Sequence, residues 1–259
     1  MKLDTWLDAA KEIVVGAGAL IQELAKTGPL VRHKGPVDLV TDADIKADEY
    51  IVSRLRSRFP DHEVLAEESG GTRESDFLWA IDPIDGTTNY AHGFPVYAVS
   101  IGLFIEGVPA VGVVYEPNLR ELFAAAKGSG ATLNDRAIHV SAVDSLEQSL
   151  LATGFPYTLR DDPGKIMTDF INVSLAAQGV RRAGAASIDL CAVACGRFDG
   201  FWEVGLKPWD TAAAGLIVEE AGGRLSRYGG AAFDHFAPEM VASNGIIHQD
   251  LLDILQKRD

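Results

Sequence analysis

The sequence predicts an α+β fold in which layered sheets carry helices on their faces. Strand-like runs joined by short turns occupy 97–126, which is typical of an antiparallel meander. After residue 150, short strands and helices alternate, which favours a sheet covered by helices. The 259 residues suffice for one large domain or two closely packed lobes.

In the first half, two amphipathic helices precede the strands. Apolar residues at three-and-four spacing predict both helices, and Gly28-Pro29 ends the first. Thr41 is the predicted N-cap of the second helix, and Ile45 is placed on its buried side. The predicted elements of this half are a helix over 3–26, a loop over 28–36, a strand fragment over 38–40, a helix over 42–58, and strands over 63–66, 77–81, 97–105, 108–115 and 121–126.

Serines and acidic residues at 141–149 indicate the boundary between two lobes of one domain. We expect a single domain over 1–259, with a metal-binding α+β lobe over 1–140 and an α/β lobe over 141–259. The predicted elements of the second lobe are strands over 150–153, 180–182, 198–203 and 240–243, and helices over 164–178, 187–196, 210–221 and 246–257.

Composition argues against several classes of protein. The formal net charge is −14, and no basic run exceeds Arg181-Arg182, which argues against a general nucleic-acid-binding surface. No apolar run approaches the length of a membrane span, and the N-terminus lacks a signal-peptide pattern. Cys191 and Cys195 lie in an apolar helical pattern without a nearby histidine, so buried thiols are favoured over a metal site or a disulfide. We therefore expect a cytoplasmic protein.

Two carboxylates stand directly after a predicted buried strand. The apolar run 77–81 is followed by Asp82 and, three residues later, by Asp85. Because side chains at i and i+3 of a strand point to opposite faces, both acids serve one site only if the chain turns between them. Pro83 and Gly86 suit such a turn.

Thr87 and Thr88 then predict the opening of a short helix, whose free backbone N–H groups suit an anion such as phosphate. Two hard oxygen donors beside an anion cradle indicate a divalent metal plus a phosphate group. The alternative for Asp82 and Asp85 is a purely structural role in capping a turn, since Asp and Gly are common turn residues.

Further acids occupy similar positions. Glu67 and Glu68 follow a strand-like run, Asp210 precedes a strong helix start, and Asp44 comes three residues after Thr41. Each has a structural alternative, as a solvated turn, an N-cap or the acidic partner of a capping box. Their common placement at strand ends and helix starts favours a shared site, because α/β sheets commonly build their sites there.

Five segments of the sequence resemble the inositol monophosphatase family, and they occur along the whole chain in the family's order. The two longest are very specific to that family. The segments are Asp38-Leu39-Val40-Thr41-Asp42-Ala43-Asp44, Glu67-Glu68-Ser69, Trp79-Ala80-Ile81-Asp82-Pro83-Ile84-Asp85-Gly86-Thr87-Thr88-Asn89-Tyr90, Lys207-Pro208-Trp209-Asp210-Thr211-Ala212-Ala213-Ala214-Gly215 and Glu219-Glu220-Ala221-Gly222-Gly223.

The resemblance implies a layered α-β-α-β-α sandwich of the sugar-phosphatase type. It implies a magnesium-dependent phosphomonoesterase that hydrolyses inositol 1-phosphate and related polyol or sugar monophosphates by metal-activated attack of water. It also implies a homodimer, two to three Mg²⁺ ions per site, Mn²⁺ as a substitute, and inhibition by Ca²⁺ and Li⁺. Magnesium suits such a cluster because gathered carboxylates repel one another and Mg²⁺ prefers oxygen ligands.

Carried over to this sequence, the resemblance also implies a role for each matching residue. The implied metal ligands are Glu67, Asp82, Asp85, Asp210 and the carbonyl oxygen of Ile84. The implied catalytic residues are Asp44 and Thr87, which orient and activate the attacking water, together with Glu67. The implied substrate-binding residues are Asp85, Gly86, Thr87, Gly184, Ala185, Ala186, Glu203 and Asp210.

Some positions discriminate between substrates of the superfamily. Thr88-Asn89-Tyr90 is similar to inositol phosphatases, whereas sulfur-assimilation nucleotide phosphatases usually carry Lys-Glu-Phe there and a histidinol-phosphatase branch often carries Arg. Glu203 favours a polyol substrate, and the alternative for this residue is a structural role. Ala185 stands where the family commonly has Ser or Thr, so one hydroxyl contact is lost. The alternatives are a fructose-1,6-bisphosphatase, a 3′-phosphonucleotide phosphatase, or a binding protein of transcription or ribosome assembly.

Overall fold

The computed structural model describes residues 2–35 and 37–257. Pro36, within the predicted loop, lies outside these residues. Two large β-sheets, with helices between them and on their outer faces, make up most of the fold. The helices are α1 (Lys2–Ala25), α2 (Asp42–Arg58), α3 (Thr87–Ala91), α4 (Gly164–Ala176), α5 (Ala186–Ala194), α6 (Pro208–Glu220) and α7 (His248–Leu255). The strands are β1 (Val31–His33), β2 (Leu39–Thr41), β3 (Glu63–Ala66), β4 (Phe77–Asp85), β5 (Ala98–Ile105), β6 (Val108–Glu116), β7 (Glu121–Ala126), β8 (Ala131–Leu133), β9 (Arg136–Ile138), β10 (Leu150–Thr153), β11 (Gly179–Arg181), β12 (Gly200–Val204), β13 (Arg224–Ser226) and β14 (Glu239–Ser243).

The first sheet has the strand order β3-β4-β5-β6-β7-β8-β9. Only the β3–β4 pair is parallel, and β5, β6 and β7 form the predicted antiparallel meander. The amphipathic faces of α1 and α2 cover one side of this sheet, where Ile13, Ile51 and Trp79 are buried in one apolar core. Burial of such side chains supplies the main stabilisation of this layer.

The second sheet has the order β11-β10-β12-β14-β13 and is mixed, since β10 pairs in parallel with β11 and β12 while β14 runs antiparallel to both its neighbours. Helices α5 and α6 lie between the two sheets, where Ala213, Leu190 and Phe201 share a core. Helices α4 and α7 cover the outer face of the second sheet, where Val173 of α4 and Leu251 of α7 share a core with Trp202 of β12. These layers confirm the predicted α-β-α-β-α sandwich.

The strand that carries the paired acids differs from its prediction. We expected it to end at Ile81, with a turn between Asp82 and Asp85, but β4 continues to Asp85. A shift in its register against β5 between Asp82 and Asp85 takes the place of the turn. Such a bulge changes the alternation of side chains, so two acids three positions apart can face one site from within a strand.

Other differences concern short or exposed segments. The predicted loop over 28–36 contains β1, which pairs with β2 as a hairpin, and the three-residue strands β8, β9 and β13 were not predicted. Ile45, placed on the buried side of α2, is 36% exposed. Cys191 is buried and Cys195 partly buried, both as free thiols. None of the described helices combines the length and apolar character needed to cross a membrane.

Candidate active site

The predicted acids meet at the junction of the two sheets. Glu67 follows β3, Asp82 and Asp85 lie in β4, and Asp210 lies in the first turn of α6. Burial raises the pKa of Asp82 well above its ordinary value, and the negative charges of Glu67, Asp85, Asp210 and Asp44 raise it further. These mutual electrostatic effects indicate that the carboxylates lie near one another, in a region that we call the cleft.

Glu67 lies at the edge of this cleft and has a cationic neighbour. Burial raises its pKa to about 7, while the charge of Lys34 acts in the opposite direction. Lys34 Nζ lies 3.5 Å from Glu67 Oε1 and also pairs with Glu68. The β1–β2 hairpin thereby places one positive charge beside the acids.

Asp44 and Thr87 form a hydrogen-bonded pair between α2 and α3. Thr87 Oγ1 lies 2.9 Å from Asp44 Oδ1 and 3.0 Å from the carbonyl oxygen of Ile84, and its single hydroxyl hydrogen can be donated to only one of them. Asp44 is fully buried, and its Oδ2 accepts from the N–H and the hydroxyl of Thr41. Burial raises the pKa of Asp44, and these hydrogen bonds oppose the rise. The predicted N-cap Thr41 is confirmed, and the capping box that was the structural alternative for Asp44 is present as well, where it fixes the carboxylate that faces Thr87.

Asp85 connects the first sheet to the start of α5. Its Oδ1 accepts from Ala186 N at 3.2 Å, and its Oδ2 accepts from both the backbone N at 2.6 Å and the hydroxyl of Ser187. The predicted metal ligand and the predicted substrate segment are therefore in direct contact. Ser187 was not among the predicted site residues, because its partner stands 102 positions away in the chain.

Gly86 and Asn89 also contact the segment 183–185, which directly precedes α5. Gly86 has φ +93°, and a Cβ there would lie 2.9 Å from the carbonyl oxygen of Val96 and 3.2 Å from the Cβ of Ala185, so the position requires glycine. Asn89 Nδ2 donates to the carbonyl oxygens of Val96 at 2.7 Å and Ala183 at 2.8 Å. Both contacts fix the backbone next to Gly184, which also has a positive φ.

Glu203 lies in β12 at the other end of the cleft. A Cβ at position 154, which is Gly154, would lie 2.2 Å from both of its carboxylate oxygens. Burial raises the pKa of Glu203 to about 8, the charges of Asp189 and Asp85 contribute, and Arg182 opposes them. Asp189 is 1% exposed, and its Oδ1 has no hydrogen-bond partner within the described part of the chain.

A family model described as the inositol monophosphatase family matches residues 2–259. The chain belongs to the inositol monophosphatase family. It is 50% identical over 256 residues to an inositol-1-monophosphatase from Synechocystis, covering 98% of this chain and 89% of that one. It is 44% identical over 234 residues to the Nus factor SuhB of Pseudomonas aeruginosa, covering 87% and 86%. The inositol monophosphatase structure from Anabaena superposes with a TM-score of 0.91 at 44% identity, covering 98% and 96% of the two chains. This chain is therefore a phosphatase.

Members of the inositol monophosphatase family need a divalent metal ion, and the donor set of this site fits one. Among residues 2–35 and 37–257, no three acidic, histidine or cysteine side chains stand as a ready-made metal site. Asp82 accepts from Ile84 N at 2.9 Å and Asp210 from Lys207 N at 2.7 Å. Carboxylates are nevertheless the hard oxygen ligands that Mg²⁺ prefers. Burial, reinforced by neighbouring negative charges, raises the pKa values of Asp82 and Asp210, and a bound cation would counter both effects.

Proposed function

We propose that this phosphatase hydrolyses inositol 1-phosphate and related polyol or sugar monophosphates to free polyol and phosphate, with Mg²⁺ as cofactor. The observation that carries the proposal is the gathering of Glu67, Asp82, Asp85 and Asp210 in one cleft beside a hydrogen-bonded Asp44–Thr87 pair. A carboxylate cluster next to a group that can orient water is suited to metal-assisted hydrolysis of a phosphomonoester.

The Asp44–Thr87 pair supplies the orientation of the attacking water. When Thr87 donates its hydroxyl hydrogen to Asp44, the lone pairs of its oxygen are free to accept a hydrogen bond from water. Asp44 is held by Thr41, so the direction of the Thr87 hydroxyl is fixed before substrate arrives. Bound Mg²⁺ would supply the Lewis acidity that activates the water and stabilises the departing alkoxide, through Glu67 and the acids assigned above with the Ile84 carbonyl oxygen.

The remaining assigned residues bind the two ends of the substrate. Gly86 and Thr87 open α3 beside the acids and would contact the phosphate through their backbone. Gly184, Ala185 and Ala186 would lie along the polyol. Glu203 would accept hydrogen bonds from the hydroxyl groups of the polyol, or donate to one of them when it is protonated. Asp85 accepts a hydrogen bond from Ala186 of the substrate segment, and the charges of both Glu67 and Glu203 act on Asp210, which supports the assignment of both acids to metal and substrate binding.

We extend the proposal to the metal ions, the oligomeric state and the location of the protein. We expect two to three Mg²⁺ ions in turnover, activity with Mn²⁺, and inhibition by Ca²⁺ and Li⁺. We also expect a cytoplasmic homodimer without general affinity for nucleic acids or membranes, in keeping with the formal net charge of −14.

Phosphate release from three substrates tests the proposal. Inositol 1-phosphate, fructose 1,6-bisphosphate and a 3′-phosphonucleotide are each incubated with Mg²⁺ and with a chelator. The expected result is Mg²⁺-dependent release that is fastest from inositol 1-phosphate. Faster release from another substrate would keep the site and overturn the polyol assignment, and release in the presence of chelator would overturn the role of the metal.

The Nus factor SuhB relative supports a second candidate function, binding to a transcription assembly. Both functions can reside in one chain, because the acids of the cleft occupy a small part of its surface. Absence of phosphate release from all three substrates, with specific binding to a transcription complex in a pull-down from purified components, would favour this second function over the first.

A further inference from the structure

Helix α5 begins without a side-chain cap of its own. Its N-cap residue is Ala185, whose methyl group accepts no hydrogen bond. The first N–H groups of a helix need acceptors from outside the helix. The carboxylate of Asp85 in β4 fills this role, because it accepts from the N–H groups of Ala186 and Ser187 and from the Ser187 hydroxyl. Asp85 therefore caps α5 from another element.

These hydrogen bonds use most of the acceptor capacity of Asp85. An ionised carboxylate has about four lone-pair positions, two on each oxygen. Oδ2 receives two donors, both from Ser187, and Oδ1 receives one, from Ala186. One position remains, on Oδ1, and rotation of the carboxylate would break all three bonds.

The donors are rigidly placed. Ser187 is fully buried, so water cannot easily replace its hydroxyl. The preceding residues are held by Asn89, which donates to the Ala183 carbonyl oxygen, and by the close approach of Gly86 to Ala185. A fixed donor set restrains the orientation of its acceptor, as outer hydrogen bonds do for metal ligands in general.

We propose that Ser187 is a positioning residue, whose hydroxyl fixes the Asp85 carboxylate so that a single Oδ1 lone pair is presented to the cation. This inference rests on the proposed function, in which Asp85 is a metal ligand. Ser187 itself touches neither substrate nor metal. Its contribution is to the affinity for the cation, through the orientation of Asp85.

Binding of Mn²⁺ to the full-length protein, measured by calorimetry and by electron paramagnetic resonance of the free ion, tests the inference. Ser187→Ala removes the hydroxyl, and we expect Mn²⁺ to bind about tenfold more weakly. The matched control is Ser149→Ala. Ser149 is also fully buried, and its hydroxyl donates to the Ser145 carbonyl oxygen at 2.7 Å, outside the cleft. We expect this control to lower Tm without changing the affinity for Mn²⁺.

Several outcomes would overturn the inference. Unchanged Mn²⁺ affinity in folded Ser187→Ala would remove the role of Ser187 while leaving the proposed function in place. Equal weakening in Ser149→Ala would show a general packing effect. If Ser187→Ala does not fold, Ser187→Cys, which keeps a weak donor, is expected to bind with intermediate affinity, and wild-type affinity in it would contradict the inference. Wild-type protein that bound no Mn²⁺ would overturn the proposed cofactor itself.

Discussion

Asp82 is a residue whose proposed role as a metal ligand would come at the expense of stability. It is 2% exposed, and burial together with neighbouring negative charges raises its pKa well above the ordinary value. A carboxyl group whose pKa is higher in the folded than in the unfolded chain destabilises the folded state when it is ionised. At any pH above its ordinary pKa, Asp82 therefore destabilises the folded, metal-free protein, and a bound cation would offset that cost.

The variant Asp82→Asn separates the two effects. Its side-chain amide retains an oxygen that can accept from Ile84 N, as the carboxylate of Asp82 does at 2.9 Å, but the negative charge is removed. We expect the metal-free variant to gain about 1 kcal/mol of stability, or about 2–4 °C in Tm, and to lose at least about a hundredfold in kcat. Differential scanning fluorimetry and phosphate release check this. A lower Tm with near-normal turnover would contradict the assignment of Asp82 as a metal ligand.

Glu203 is the residue at which substrate preference can be tested. The variant Glu203→Gln keeps the shape of the side chain and removes its charge, so hydrolysis should be retained while discrimination between inositol 1-phosphate and glycerol 2-phosphate falls about tenfold. Kinetics are measured at pH 9, above the pKa of about 8, where the wild-type carboxylate is ionised. The control is Glu147→Gln at an exposed position. An unchanged ratio of kcat/KM values would assign Glu203 a structural role.

Single residues also mark the limit of prediction from sequence. The acids of the cleft were predicted because each stands in a motif that resembles the family, and the spacing of Thr41 and Asp44 offered the capping box as a structural alternative. Ser187 and Asp189 carry no such local signal. The contact between Ser187 and Asp85 depends on the approach of α5 to β4, and the isolation of Asp189 depends on how the interior is packed.

Among whole elements, long periodic segments were predictable and short ones were not. Helices α1 and α2 show their apolar stripes over several turns, and β5 to β7 show apolar runs between turn residues. Strands β8, β9 and β13 have three residues each, too few for any periodicity to emerge. The bulge in β4 also has no reliable sequence pattern, because it depends on pairing with β5. The orientation of Asp82 and Asp85 towards one site depends on that bulge.

Helix α6 depends on two glycines for its position against the first sheet. A Cβ at Gly102 in β5 would lie 2.6 Å from the Cβ of Ala212, and a Cβ at Gly112 in β6 would lie 2.5 Å from the Ala213 carbonyl oxygen. The helix therefore lies against bare backbone. Because Asp210 belongs to the first turn of α6, this close packing also sets the distance of that carboxylate from β4.

The variant Gly102→Ala tests the coupling between packing and the cleft. The added methyl group must push α6 away from β5, so we expect a loss of about 1–3 kcal/mol in stability and weaker Mn²⁺ binding through displacement of Asp210. Gly229→Ala is the control, since no atom lies within 4 Å of its added Cβ. Calorimetric Mn²⁺ titration and thermal unfolding give the two readouts. A destabilised Gly102→Ala variant with wild-type Mn²⁺ affinity would show that α6 does not set the geometry of the cleft.

Across the whole molecule, two groups of buried side chains respond to pH in opposite directions. Burial lowers the pKa values of His235 and His248 to about 4, so protonation of the unfolded chain reduces stability as pH falls below the ordinary value of 6.5. The pKa values of Glu67 and Glu203 are raised to about 7 and about 8. As pH falls through those values, the folded state takes up protons that the unfolded state does not bind, and stability increases.

Between about pH 8.5 and pH 6.5 the carboxyl groups of the cleft dominate, because their pKa values lie inside this range, whereas the unfolded histidines begin to take up protons only towards its lower end. We expect the metal-free protein to have a higher Tm at pH 6.5 than at about pH 8.5, by up to about 1.4 kcal/mol per pH unit for each proton taken up. Saturating Mg²⁺ stabilises the ionised carboxylates, so it should raise Tm more at the higher pH and reduce the difference. Differential scanning fluorimetry with chelator and with Mg²⁺ measures both effects. A metal-free Tm that falls as pH is lowered over this range would show that the pKa values of these carboxyl groups are not raised, and the electrostatic reason for a cation there would be lost.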